Sequence, residues 1–197
     1  MPQFEFLEKE HIYNIIEDDG SKKPIPGVTS ILQAAGLYDD SFFTEESRNR
    51  GKYVHKACLY YLQSDLDEDT IPDEYRGYIE AFKRFMSESD CKPHLERCEI
   101  PLFSETLRYG GTPDMPCVLN GKESLVDIKT GIFTPAHSIQ TAAYKNLLNH
   151  TDFIVSKRYS LHLEKTGSYK LHEHMDRADE KIFMSCLNIY TWKMANL

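Results

Sequence analysis

Gly111-Thr112-Pro113-Asp114-Met115-Pro116-Cys117-Val118-Leu119-Asn120-Gly121-Lys122-Glu123-Ser124-Leu125-Val126-Asp127-Ile128-Lys129-Thr130-Gly131 is the stretch that decides the fold. Met115 to Leu119 and Leu125-Val126 are apolar, and Asn120-Gly121 is a dipeptide favoured in tight hairpin turns. The stretch reads as two strands joined by a hairpin, with Asp114, Asp127 and Lys129 brought to one end. On a strand, residues 127 and 129 share a face, while Ile128 points the other way, into core. Two carboxylates can hold a hard divalent cation, and a lysine beside them can hold or polarise a water. A salt-bridged, solvated strand face is the alternative for the same Asp and Lys.

Asp-x-Lys by itself is cheap, because Asp90-Cys91-Lys92 and Asp179-Glu180-Lys181 also match it. The first falls in a polar connection. The second falls at a helix start, where Asp is expected for capping and dipole reasons. Only Asp127 to Lys129 ends an apolar strand with a second acid one hairpin upstream.

Working outward, the chain changes period. Phe4 to Leu7 and His11 to Ile16 look like a small hairpin, with a turn at Asp18-Asp19-Gly20-Ser21. Ser30 is a candidate N-cap for a short helix, Ile31 to Ala35, stopped at Gly36. Thr44 caps the next helix, with Glu45 and Glu46 in its first turn and Val54, Cys58, Leu59 and Leu62 at helical spacing. A third helix starts near Pro72 and carries the stripe Tyr75, Tyr78, Ile79, Phe82, Phe85, Met86. Cys98, Ile100 and Leu102 alternate as in a half-buried strand, and Leu107 to Leu119 continues the sheet. Thr134-Pro135 opens a helix to about Asn149. Lys157 to Glu164 and Tyr169 to Glu173 form a second hairpin. A last helix, Arg177 to Met194, shows Ile182, Phe183, Cys186, Ile189 and Tyr190 on one face. The order predicts an α/β or α+β fold, a central mixed sheet flanked by helices.

The 197 residues suffice for one domain with a core, read as a single domain over residues 1–197 with residues 1–40 as an N-terminal extension. Apolar content of 41% and charged content of 27% are ordinary for a soluble globular chain. No apolar run approaches the ~18 residues of a membrane span, so no membrane is expected as partner. Met1-Pro2-Gln3-Phe4-Glu5 has no signal-peptide character. Five cysteines, at 58, 91, 98, 117 and 186, form no C-x-x-C, which predicts small buried thiols in a reducing cytoplasm. A net charge of −8 disfavours a broad electrostatic grip on duplex DNA. Any nucleic-acid contact is expected to be local and assisted by metal ions.

Further chemistry-bearing residues flank the hairpin. Gln140 and Tyr144 are i and i+4 on the helix after it, with His137 on the same face. His55 lies on the polar edge of its helix near Arg50 and Lys52, cations that suit a phosphate backbone. Each of these alone is more often an ordinary helix surface. His162, His172 and His174 alternate on a hairpin, but with no further zinc ligands evident they read as surface histidines. Tyr190 and Trp192 read as helix packing, with base stacking as the alternative.

His55, Gly111-Thr112-Pro113-Asp114, Val126-Asp127-Ile128-Lys129-Thr130-Gly131 and Gln140-x-x-x-Tyr144, in that order, resemble the motif set of RecB-like nucleases. These belong to the PD-(D/E)xK superfamily, alongside Cas4-type and phage-encoded exonucleases. The resemblance covers about residues 45–150, and Pro26 to Leu32 is similar to openings of phage-type members. It implies a restriction-endonuclease-like core and a divalent-metal-dependent DNase, exonuclease rather than endonuclease, in recombination, repair or phage DNA processing. Asp114 and Asp127 would bind Mg²⁺ or Mn²⁺, with His55 and the Ile128 backbone carbonyl as further ligands. Lys129 would position or activate the attacking water. Gln140 and Tyr144 would orient the site or contact DNA, as would Arg50 and Lys52. Glu99, on the preceding strand, would be an extra acid, with Glu96 as its competitor. The implied partners are single- or double-stranded DNA with a free end, and a recombination or single-strand-annealing protein, in the cytoplasm of a bacterium or phage-infected host. With only Cys186 late in the chain, the iron–sulfur cluster of Cas4-type and AddB-type relatives is not expected. No G-x-x-x-x-G-K-[ST] occurs, so no helicase motor is expected. A structure-specific endonuclease on the same site, or an inactive binding member, are the alternatives.

Overall fold

A computed structural model describes residues 3–8, 10–38 and 44–197. The Asn120-Gly121 turn forms as the sequence predicts. Both residues take positive φ, 51° and 71°, the geometry of a two-residue hairpin whose twist matches its strands. It joins β7 (Met115–Leu119) to β8 (Lys122–Lys129), with Met115 opposite Val126. The chain crosses from β8 through α4 (Ala136–Asn149) to β9 (Lys157–Leu163), which runs parallel to β8. That register sets Asp127 beside Ser160 and Lys129 beside His162. β10 (Tyr169–Glu173) and β4 (Cys91–Pro93) complete a five-stranded mixed sheet, ordered β10-β9-β8-β7-β4. This is the mixed sheet flanked by helices that the sequence predicts.

Strand alternation decides which helices cover which face. Val126, Ile128, Leu161 and Met115 pack with α2 (Glu45–Leu62) and α3 (Asp73–Glu88). The α3 stripe behaves as read, with Tyr78, Ile79, Phe82 and Phe85 buried. Each such side chain contributes about 1.5–3 kcal/mol by leaving water. Leu125 faces the other way, toward α1 (Val28–Ala34), α4 and α5 (Ala178–Asn196). Thr44 caps α2 through its side chain, which accepts the Ser47 amide. Among the described residues no helix is long and apolar enough to cross a membrane.

Several elements differ from expectation. α1 starts at Val28 with Gly27 as N-cap, so Ser30 lies inside the helix rather than capping it. Its end is a Schellman cap: Gly36 has φ 75°, and the Leu37 amide reaches Leu32 O at 3.0 Å. The Cys98 to Leu102 alternation is not a strand, because Leu95–Arg97 is a 3-10 turn and the chain only extends at β5 (Leu102–Ser104). β5 pairs with β6 (Tyr109–Gly111) in a separate two-stranded sheet, and residues 112–114 break the path from β6 to β7. Asp90-Cys91-Lys92 leads into edge strand β4 rather than lying in a loop. On α5 the buried positions include Phe183, Cys186 and Leu187, while Ile182, Ile189 and Trp192 stay exposed. The base of α5 is fixed by a buried ion pair, Arg158 to Asp179 at 2.9 Å. Arg158 also donates to Ser138 O at 2.7 Å. Asp179 therefore serves Arg158.

The N-terminal hairpin, β1 (Gln3–Leu7) and β2 (Ile12–Ile16), gains a third strand, β3 (Lys22–Ile25). Lys22-Lys23-Pro24-Ile25 carries no apolar alternation, and proline is tolerated there because the strand is an edge. This small sheet grips the segment before Asp114. Tyr13 Oη is 2.9 Å from Thr112 Oγ1, and the Gly110 amide donates to Pro26 O at 2.9 Å.

Gly77 in α3 lets the β9–β10 turn approach: a Cβ there would lie 1.8 Å from Lys165 O. Because the obstacle is backbone, Gly77→Ala is expected to cost about 1–3 kcal/mol through overpacking. Urea unfolding checks it; an unchanged midpoint would show that the turn yields freely.

Candidate functional site

The break at residues 112–114 delivers Asp114 to the end of β8. Its Oδ2 accepts the Ile128 amide N–H at 2.6 Å. Its Oδ1 lies 3.4 Å from His55 Nδ1, which is also 3.4 Å from Glu99 Oε1. Glu99 sits in a turn, not on a strand. Its amide reaches Pro113 O at 3.0 Å and Asp114 O at 3.2 Å. Its φ is 55°, a left-handed conformation that costs a non-glycine residue about 1–2 kcal/mol. Backbone strain of this kind collects at functional sites. His55, Glu99 and Asp114 each offer one ligand atom, all within 4.8 Å of one another, the one such group among the described residues. Glu96, the competing acid, is exposed beside Arg97 and His94.

Asp127 stands next to this cluster but outside it. It is 1% exposed, and neither carboxylate oxygen accepts a well-directed hydrogen bond. Lys129 Nζ makes a charge contact with its Oδ2 at 2.6 Å. Of the expected ligands, His55 and Asp114 come together with Glu99, while Asp127 lies against the Lys129 ammonium. As expected, Ile128 buries its side chain in the core.

The charges sort these groups. Burial opposes a charged imidazole, but the Asp114 carboxylate and Glu99 hold the His55 pKa well above its usual value. Burial and the Asp114 charge raise Glu99. Asp114 is lowered: burial works against it, and His55, Lys129 and the Ile128 amide outweigh burial. Burial pushes Asp127 up to about 6 against the pull of Lys129. Lys129 is half-buried; burial opposes its charge, yet Asp127 and its other neighbours keep it more basic than a free lysine. It is an ammonium at neutral pH, a donor rather than a base.

Gln140 and Tyr144 are buried and linked, Gln140 Nε2 donating to the Tyr144 oxygen at 3.0 Å. Tyr38 Oη donates to Gln140 Oε1 at 2.9 Å. The charges of Lys129 and Asp127 act on Tyr38, and those of Asp127 and Asp114 on Tyr144. Tyr38 went unread in the sequence; it follows the Gly36 stop of α1, and no spacing points to it. Arg50 Nε donates to Thr130 Oγ1 at 3.4 Å, at the rim of the site. Lys52 is exposed one turn before His55, and its charge bears on His11.

Of the hairpin histidines, His162 departs from the expected surface position, while His172 and His174 are half-buried. His162 is buried, as is His137, and Phe133 packs against both. His137 and His162 lie 5.1 Å apart between ring centroids, and His162 and His172 lie 5.2 Å apart. Burial lowers His162, and takes His137 to about 2 and His174 to about 4, so these rings are neutral. Trp192 is 61% exposed, so it is not packed as expected.

No protein-family model matches the chain, and no curated protein matches it. Among solved structures, a crystal structure from Eubacterium rectale described as a "Putative exonuclease" is similar at 11% identity and a TM-score of 0.49, covering 88% of this chain and 74% of that one. The crystal structure of SSO0001 is similar at 12% identity and a TM-score of 0.36, covering 86% and 84%. Neither likeness is close enough to transfer an activity, so the functional reading stands on the site.

The donors suit a divalent cation. Two carboxylates and an imidazole converge, and beside them the buried Asp127 Oδ1 has no hydrogen-bond donor. Oxygen and imidazole ligands of this kind suit Mg²⁺, Mn²⁺ and similar ions. One consequence is measurable without catalysis. An Asp raised from 3.8 to about 6 in the fold holds its proton more tightly folded than unfolded. Its ionisation therefore destabilises the fold, increasingly as pH rises from ~4 to ~6 and fully above that. In EDTA, the stability of Asp127→Asn to urea relative to wild type is expected to rise by roughly 1–3 kcal/mol between pH 4 and pH 8, on top of a constant cost for leaving the Lys129 ammonium without its counter-ion. A difference from wild type that is the same at both pH values would overturn this.

Proposed function

We propose that the chain is a divalent-metal-dependent DNA nuclease of the RecB-like PD-(D/E)xK type, one nuclease domain with a restriction-endonuclease-like core, acting from DNA ends. The observation that carries this reading is the His55–Glu99–Asp114 cluster beside the buried Asp127–Lys129 pair. A structural ion pair would not need three further ligand atoms facing it, nor a strained Glu99.

The residues divide the work. His55, Glu99 and Asp114 would hold a cation, with Asp127 and the Ile128 carbonyl as neighbouring ligands. When bound, that cation would polarise a phosphodiester oxygen and lower the pKa of a water. Lys129, kept as an ammonium, offers N–H donors to a phosphate oxygen and steadies the charge that builds there. Asp127 fixes the direction of Lys129. Glu99, whose pKa is raised, is suited to accept a proton at Oε. The Tyr38–Gln140–Tyr144 chain of hydrogen bonds orients the wall behind Asp127 and Lys129. Since Gln140 and Tyr144 are buried, we assign them positioning rather than direct DNA contact.

Labelled single- and double-stranded DNA with Mg²⁺ or Mn²⁺ tests this. Wild type is expected to cut, with Asp114→Asn and Lys129→Ala each losing at least about 100-fold. A circular single strand should survive if the enzyme needs an end. Separately, Mn²⁺ should raise the melting temperature of wild type by binding only the folded state, and His55→Ala with Glu99→Gln should remove that rise. An inert wild type, or variants that cut as well as wild type, would end the nuclease reading. A Mn²⁺ response that survives loss of His55 and Glu99 would move the cation elsewhere.

A further inference from the structure

The loop after Lys129 opens onto a groove of about 440 Å³, within the ~300–1,000 Å³ range of small-molecule sites. Rings and cations line it: Tyr78, Phe133, His162 and His172, with Lys165 and Lys170. Phe133 is 49% exposed. Its ring centroid lies 4.7 Å from that of His172 and 5.7 Å from that of His162, so imidazoles back the ring while half of it stays open.

The groove adjoins the site without a gap. Thr130 and Gly131, which line it, follow Lys129 directly. Arg50 bridges the two, bonding Thr130 while its guanidinium lies 5.7 Å from the centre of the Tyr78 ring. His162 stands beside Lys129 in the sheet. Its Nδ1 lies 3.2 Å from Gly131 O. A carbonyl can only accept, so Nδ1 carries the proton and Nε2 is a bare acceptor, buried and without a partner. A buried acceptor left unserved is unfavourable. The charges lining the groove are Glu164, Lys165 and Lys170. Glu164 pairs with Lys170 at 2.8 Å, which leaves Lys165 and Arg50 to meet an anion in a chain of net charge −8.

We propose that this groove binds an unpaired DNA strand running away from the scissile phosphodiester, with a base stacked on Phe133 and backbone phosphates on Lys165 and Arg50. The proposal rests on the nuclease reading of the neighbouring site and narrows its substrate to single strands and frayed ends. Rings accept any base face and cations any phosphate, so binding follows strandedness rather than sequence.

The test measures binding, not cutting. A short single-stranded oligodeoxynucleotide carrying one 2-aminopurine is titrated with protein in Ca²⁺, and stacking is read as fluorescence quenching. Wild type should quench. Phe133→Ala should bind roughly tenfold more weakly and lose the quench, while Phe133→Trp should keep both. Lys165→Glu should weaken binding and flatten its salt dependence. Circular dichroism confirms that each variant is folded. Equal affinity and quench in Phe133→Ala and wild type would overturn the proposal. So would competition by blunt duplex, or by RNA, that exceeds competition by single-stranded DNA. The two readings fail separately. A wild type that cuts DNA while Phe133→Ala binds normally removes the groove and keeps the nuclease. A wild type inert in Mn²⁺ that shows the Phe133-dependent quench removes the nuclease and keeps the strand-binding groove.

Discussion

Asp114 accepting the Ile128 amide at 2.6 Å is the constraint on which the site depends. A carboxylate bonded to a backbone N–H is a short, charge-assisted hydrogen bond. It forms where the path from β6 to β7 is broken, and it orients the Asp114 carboxylate. With Oδ2 committed to the backbone, Oδ1 faces His55 and Glu99. Were Asp114 to turn away, a buried amide would be left unserved, at about 1–3 kcal/mol. Fold and chemistry thus share one side chain. The small N-terminal sheet reinforces it from outside, through Tyr13 on Thr112 and Pro26 on Gly110.

Around that contact, charges are crowded into a space with little water. Three acids, one histidine and one lysine cannot all take their solution protonation states. Asp114 keeps its charge because His55, Lys129 and an amide favour it, and Glu99 and Asp127 are driven upward. Groups pushed apart in this way are a mark of functional sites, although structural ion pairs can do the same. Arg158 and Asp179 make the contrast. They too are buried and paired, but Arg158 is surrounded by carbonyl acceptors and Asp179 also accepts from Ser138. That pair is satisfied at every oxygen; Asp127 keeps Oδ1 without a partner.

Local chemistry made some of this legible in the sequence. Asn120-Gly121 allows few turns, and strand alternation fixes the faces of Asp127, Ile128 and Lys129. The α3 stripe and the Thr44 cap are equally local. Long-range packing was not legible. Glu99 looked like a strand residue because Cys98, Ile100 and Leu102 alternate, yet its backbone is held by carbonyls of residues 113 and 114. Tyr38 reaches Gln140 across 102 positions, and periodicity carries no trace of such a contact. The burial of His162 has a related origin. The loop carrying Phe133 and the start of α4 cover it, and neither belongs to the hairpin.

The proposed action of an acidic chain on DNA has a physical resolution. The site's own carboxylates are compensated locally: His55 and the Ile128 amide for Asp114, Lys129 for Asp127. Exposed acids elsewhere act through water and salt, which screen them beyond ~8–10 Å. A strand lying along Arg50, Phe133 and Lys165 therefore meets a locally cationic, aromatic surface whatever the net charge. Duplex DNA, approaching over a wider face, meets the acidic remainder as well. The same balance would make release easy, since few phosphates would be neutralised at once and the salt-dependent part of binding scales with that number. On the proposed reading, net acidity would act as a filter on which form of DNA stays bound, favouring the strand that can enter the groove over the helix that cannot.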